Sequence, residues 1–257
     1  MTEDGVLPVG EGALEIPPRR RWWVPLLVLL LAGALLAVYI PGLLPEERTG
    51  SGTGFAIRDG GYILTAAHVV QGATEIVVRW EGHSYRATTI ALSAAHDLAL
   101  LLAEDALPIP AAALASDRPR FGDRVTAVGH PTGVAQPVAL PTHVSGVGGW
   151  AVGPEGAVLR DLIATQDPFQ PGYSGAPLVN GAGQVVGIVT GSVTSASGQE
   201  YGFAVSIHRA VDWLAGRGMI LPLQGGSPAV VLSEADQVDA IRPAVVRVEA
   251  RFPPGAR

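Results

Sequence analysis

From Thr53 onward, short apolar or alternating runs are broken every few residues by Gly, Pro, Asn or Asp. Stretches of roughly four to eight residues with period-two alternation, bounded by such turn formers, predict β-strands. The runs "TGFAI", "GYILTA", "TEIVVRW", "SYRATTIAL" and "DLALLLA" predict five strands before Pro108. After the connection Pro108–Gly122, "RVTAVGH", "QPVALPTHVSGVGGW", "LRDLIATQ", "APLVN", "QVVGIVTGSV" and "EYGFAVS" predict a second group, at residues 122–206. Helical spacing is confined to "IHRAVDWLAGRG", at 207–217, and to "SEADQVDAI", at 233–241, with a Gly/Pro-rich linker at 218–232 between them. Many short strands and few helices predict an all-β sandwich or barrel.

The N-terminal pattern is different. Trp22 to Ile40 carries no charge, and at ~1.5 Å per residue a helix of that length approaches the ~30 Å hydrocarbon core of a bilayer. Arg19 to Arg21 precede it, and Trp22, Trp23 and Tyr39 stand where interfacial aromatics belong. The excess of arginine on that side keeps the N-terminus in the cytoplasm and exports the chain beyond Pro41. Residues 22–40 are therefore expected to be a transmembrane anchor, 1–21 a disordered cytoplasmic segment and 41–52 a linker. A cleaved signal peptide is the other reading, but the leading segment is long and no small-x-small site comes after the apolar run.

Composition narrows the function. Charged residues are 16% of the chain, below the roughly 25% usual for soluble domains, while Gly and Pro number 33 and 21. The net charge of −6 has no basic run outside Arg19 to Arg21, so the electrostatic footprint of a nucleic-acid binder is missing. Without cysteine there is no disulfide, no thiol nucleophile and no Cys-ligated zinc.

One loop, "QPGYSGAPL", sets Ser174 between glycines. A serine hydroxyl near neutral pH needs a base to take its proton, and that base needs a third group to hold its tautomer. "ILTAAHVV" supplies His68 after an apolar strand, and "AAHDLALLLAE" supplies Asp97 at the head of another. His96 adjoins Asp97 but points to the opposite face of an extended segment, His130 occupies a turn, and His83, His143 and His208 have no partners at metal-ligand spacing, so no metal site is expected. Each of the three residues also has a structural reading, a turn serine or a cap, and their joint occurrence in order argues against it.

The motifs "GSGTGFAIRDGGYILTAAHVV", "HDLALL", "PGYSGAPLVN" and "GQVVGIVT" with "YGFAVS" resemble, in this order, the trypsin-like serine proteases of the HtrA/Deg type, from Gly50 to about Leu214. The resemblance implies a double six-stranded β-barrel with the site in the cleft between barrels. It assigns His68 as general base, Asp97 as its orienting carboxylate and Ser174 as nucleophile. The N–H groups of Gly172 and Ser174 would form the oxyanion hole, and Thr190, Gly191, Ser192 and Val193 a pocket for small or medium apolar side chains. The implied activity is endopeptidase cleavage of exported or misfolded polypeptides at the bacterial cytoplasmic membrane, without a cofactor. No residue establishes or excludes a homo-oligomer. Only a short tail comes after Gly218, so substrate capture through a peptide-binding PDZ domain is not expected.

The chain departs from the pattern in places. Tyr173 stands where the family usually has Asn, and Ala176 replaces a glycine. Thr165-Gln166 stands for the usual Thr-Asp, with Asp167 one place later. The first two leave a second reading, a catalytically silent, membrane-tethered binding or structural module of the envelope.

The tail, "LSEADQVDAIRPAVVRVEARFPPGAR", has a further meaning. Relatives open their protease domain with a short helix and a Pro-Ala/Ser-Val-Val strand, and that element is missing before "GSGTGFAI". The tail supplies it: Ser233 suits a helix cap, and Val246 and Val248 fall on one face of a strand. The protease domain is therefore expected at 53–257, circularly permuted, with its first barrel made of residues 53–107 plus 244–250. Donation of that strand to a neighbouring molecule, or the start of a second, truncated domain, are the alternatives.

Overall fold

Period-two burial builds the first half. In β1 (Arg48–Arg58), Phe55 and Ile57 face one apolar cluster while Ala56 faces another. β2 (Tyr62–Thr65), β3 (Glu75–Trp80), β4 (His83–Ser93) and β5 (Leu98–Ala103) come next in sequence. β5 is apolar throughout because both its faces are covered: Ala99, Leu101 and Ala103 fill the barrel, and Leu98 and Leu100 pack outside it. A single helical turn, α1 (Ala67–Val70), closes one end.

The structure is a computed structural model and describes residues 26–30, 48–104, 107–153, 156–195, 197–225 and 232–254. Glu47–Arg257 is one compact unit. Of the expected anchor at 22–40, only residues 26–30 are described, as helix; its remainder, the segment 1–21 and residues 41–47 lie outside the described residues. Among the described residues no helix is long and apolar enough to cross a membrane.

Five strands do not close the first barrel; the sixth is the last strand of the chain. In chain order after β5 come β6 (Leu114–Ala115), β7 (Arg124–Gly129), β8 (Val138–Val152), β9 (Val158–Thr165) and β10 (Pro177–Val179). β11 (Val185–Thr194), β12 (Glu200–Ser206), α2 (Ile207–Ala215), β13 (Leu223–Gln224), α3 (Glu234–Ile241) and β14 (Val245–Phe252) complete it. β14 lies antiparallel between β1 and β3, giving a closed barrel of order β1-β14-β3-β4-β5-β2. Val246, Val248 and Ala250 point into that barrel's interior, and burying each valine contributes about 1.5–3 kcal/mol. Ser233 caps α3, its hydroxyl accepting from the Asp236 N–H at 3.2 Å. Ion pairs Arg79–Glu249 and Arg251–Glu75 tie β14 to β3 at 2.8 and 2.9 Å.

β10, β7, β8, β9, β12 and β11 run side by side, and pairing of β10 with β11 closes these six into a second ring. Residues from β7, β8, β10 and β11 fill it. A larger cluster, from Phe55 and Leu100 to Ile188, Trp213 and Leu214, joins the barrels and receives the buried face of α2.

Several expected boundaries shift. Arg48–Gly52 belong to β1 and not to a linker, because β14 runs on to Phe252 and gives them antiparallel partners. The expected strand 244–250 is therefore Val245–Phe252. The linker at 218–232 contains β13, and the 108–122 connection contains β6; the two pair in parallel. Both are two-residue strands, too short for periodicity to mark. Residues 226–231 of that linker lie outside the described residues.

Candidate active site

His68 projects from α1, whose Ala67, Val69 and Val70 are buried, the two valines in the first barrel's core. With those faces taken, the histidine is left on the outer side, about a quarter exposed. Asp97 ends a single 3-10 turn, Ala94–His96, in the left-handed conformation, φ 51°, a region that Asp tolerates better than most residues. That twist delivers its carboxylate, only 4% exposed, to the His68 imidazole.

The carboxylate is saturated with donors. The His68 Nδ1–H lies 2.9 Å from Oδ2 and 3.0 Å from Oδ1, and the His68 backbone N–H donates to Oδ1 at 3.0 Å. The Thr190 hydroxyl donates to Oδ2. With Nδ1 so engaged, Nε2 is the imidazole nitrogen left to accept a proton. His68 and Ser174 line one cleft of about 310 Å³, together with Pro171, Gly172, Gln71 and Phe252.

Ser174 sits in the loop between β9 and β10, and that loop is tied down peptide by peptide. Pro171 O accepts from the Thr132 N–H at 3.0 Å, and Tyr173 O from the Ala176 N–H at 2.8 Å. In a planar trans peptide the N–H points opposite to the C=O. The N–H groups of Gly172 and Ser174 are thus turned away from these clamps, and neither has an acceptor among the described residues. Gly172 has φ +99° and Gly175 φ +85°; a Cβ on Gly175 would stand 2.1 Å from Thr53 O. Both positions demand glycine. Two N–H donors, a hydroxyl and an imidazole held by a carboxylate are the parts that addition to a carbonyl requires.

Of the expected pocket residues, Thr190 is buried and turned to Asp97. Ser192 is engaged with the backbone of Phe169, its Oγ accepting from the N–H at 2.7 Å and donating to the carbonyl at 3.1 Å. Gly191, φ +156°, marks a bulge between β11 and β12, and Val193 is exposed. None of the four lines the cleft shared by His68 and Ser174.

The two departures around the serine have a packing explanation. Tyr173 is 2% exposed and its Oη donates to Val138 O at 3.1 Å; burial raises its pKa. Its ring and Ala176 join the second barrel's core, in a space left by Gly129, where a Cβ would stand 2.8 Å from the tyrosine ring. Sequence reasoning missed two hydroxyls, that of Thr190 on Asp97 and that of Thr53, which donates to Gly172 O. A hydroxyl in an apolar strand was the available signal, since a buried hydroxyl needs a partner. Among the described residues no group of three or more His, Cys, Asp or Glu side chains is placed to hold a metal.

Residues 52–188, more than half of the chain, match the family model described as "Trypsin-like peptidase domain". The chain belongs to the trypsin-like peptidase family. It is 37% identical over 175 residues to the serine protease HhoA of Synechocystis sp., covering 65% of this chain and 43% of that one. It is 32% identical over 183 residues to a DegP-like periplasmic serine endoprotease of Chlamydia trachomatis, covering 68% and 36%. The match thus spans less than half the length of these curated relatives. The crystal structure of the Rv3671c protease from M. tuberculosis, in its active form, superposes with a TM-score of 0.57 at 27% identity, over 70% of this chain and 78% of that one.

Proposed function

We propose that this chain is a membrane-anchored serine endopeptidase that cleaves exported or misfolded polypeptides through an acyl-enzyme. Ser174 Oγ attacks the scissile carbonyl, His68 Nε2 takes its proton and returns it to the leaving amine, and Asp97 stabilises the imidazolium. The N–H groups of Gly172 and Ser174 receive the oxyanion. The observation that carries this reading is that His68, paired with Asp97 at 2.9 Å, lines the same cleft as Ser174. Tyr173 and Ala176, the two departures behind the alternative of a silent binding module, are packed in the second barrel's core and not in the cleft of His68 and Ser174.

Trp22 to Ile40 anchors the chain with its N-terminus in the cytoplasm, in keeping with relatives described as periplasmic. The domain is a circular permutant, its opening helix and strand moved behind α2 and docked again as α3 and β14. Treatment with a fluorophosphonate probe tests the chemistry: labelling confined to Ser174 is expected, and no label, or label elsewhere, would overturn it.

A further inference from the structure

Thr53 is a fully buried hydroxyl residue in the middle of β1, on the strand edge that meets the nucleophile loop. All of its polar atoms are used, and they join three segments. Its N–H donates to Ser174 O at 2.8 Å, and its carbonyl accepts from the Thr65 hydroxyl at 2.7 Å. Its Oγ1 donates to Gly172 O at 2.7 Å and accepts from the His130 N–H at 2.8 Å.

The hydroxyl therefore bears on both peptides that flank Gly172. The peptide after it is held directly, through Gly172 O. The peptide before it is held through Pro171 O, which accepts from Thr132 N–H, and Thr132 belongs to the turn that Thr53 grips at His130. Gly172, at φ +99°, has the widest backbone freedom available to any residue. The Tyr173 N–H also donates to Gln170 O at 3.2 Å, so the peptide after Gly172 has two anchors, and the Thr53 hydroxyl is the one that ties it to β1 and to the His130 turn.

From this geometry we propose that Thr53 is a positioning residue for the oxyanion hole: its hydroxyl sets the orientation of the Gly172 N–H relative to that of Ser174. The inference rests on the reading of Ser174 as nucleophile and of these two N–H groups as the oxyanion donors. Thr53→Val keeps the shape of the side chain and removes the hydroxyl; Thr53→Ser keeps the hydroxyl.

The test uses the full chain, with labelled casein as substrate and a peptidyl-valine trifluoromethyl ketone as inhibitor, whose hemiketal oxygen occupies the oxyanion position. Removing one oxyanion donor typically costs ~10²–10³ in rate, so a mispositioned donor is expected to cost roughly 10–100-fold. In Thr53→Val, kcat should fall by that factor with KM little changed, and affinity for the ketone should fall in parallel with kcat/KM. Thr53→Ser should restore both, with near-UV circular dichroism confirming that all proteins are folded. A wild-type kcat in folded Thr53→Val, a loss confined to KM, or failure of Thr53→Ser to restore activity would overturn the inference. Ser174→Ala, run beside them, separates the two ideas. If it is inactive while Thr53→Val is unimpaired, only the Thr53 inference fails; if it is active, the triad reading fails and carries the inference with it.

Discussion

Thr190 donates its hydroxyl to the Asp97 oxygen that also faces His68 Nδ1, from a side chain that is 7% exposed. A hydrogen bond to a charged group is worth about 1.5–3 kcal/mol, and here it fixes the carboxylate that fixes the imidazole. Thr190→Val is expected to lower kcat/KM for casein by roughly 10–100-fold. Asp97→Asn should cost far more, about 10⁴-fold, because an amide favours the wrong histidine tautomer. Steady-state rates at pH 7 and 9 check both, and an Asp97→Asn enzyme with near-normal turnover would refute the role of the carboxylate.

The tail strand makes a stability prediction. Val248 is completely buried and lies opposite Gly52 of β1 and Val78 of β3. Val248→Ala should cost about 2 kcal/mol, read as a lowered urea midpoint, and Val248→Asp should leave no folded protein. Truncation after Leu223 removes α3 and β14 together and leaves β1 and β3 each with an unpaired edge. Loss of soluble, active enzyme is expected; a stable, active truncated protein would contradict the account of the barrel.

These two cases mark how much was legible in the sequence. Alternation at Val246 and Val248, a Ser233 cap and a five-strand count before Pro108 all lie in local pattern, and so did the tail strand. His68, Asp97 and Ser174 could be singled out as candidates because each sits in a motif of its own. What pattern did not carry was convergence across the fold. Thr190 lies 93 positions from Asp97, and Thr53 lies 119 from Gly172. Either hydroxyl, read along its strand, is only a polar residue in an apolar run. The left-handed backbone of Asp97 and the two-residue pairing of β6 with β13 are tertiary outcomes of the same kind.

His130 predicts a pH dependence. Burial, and next the Arg247 guanidinium, lower its pKa from the ordinary 6.5 to about 4. The unfolded chain therefore binds a proton between about pH 6.5 and 4 that the folded chain does not. Its contribution to stability is present above pH 6.5 and is lost as pH falls toward 4. The thermal midpoint should drop on going from pH 7 to 4.5, and the drop should be smaller in His130→Gln. An identical drop in both proteins would exclude His130 as a source.

The charge asymmetry around the apolar run predicts a topology. In bacterial spheroplasts, added protease should digest the domain beyond Pro41 and spare a tag placed at the N-terminus, because arginines Arg19 to Arg21 stay inside. Protection of the whole chain would contradict the proposed orientation.

The central claim is that Ser174 and His68 act as one unit in peptide-bond hydrolysis. Triad members are strongly non-additive, since removing one already abolishes what the others could do. The most direct measurement is casein hydrolysis by the full chain and by Ser174→Ala, His68→Ala and the double variant, each verified as folded. The account predicts that both single variants lose activity by a similar large factor and that the double variant loses no more than either. Turnover by Ser174→Ala equal to that of the unmodified chain would contradict it.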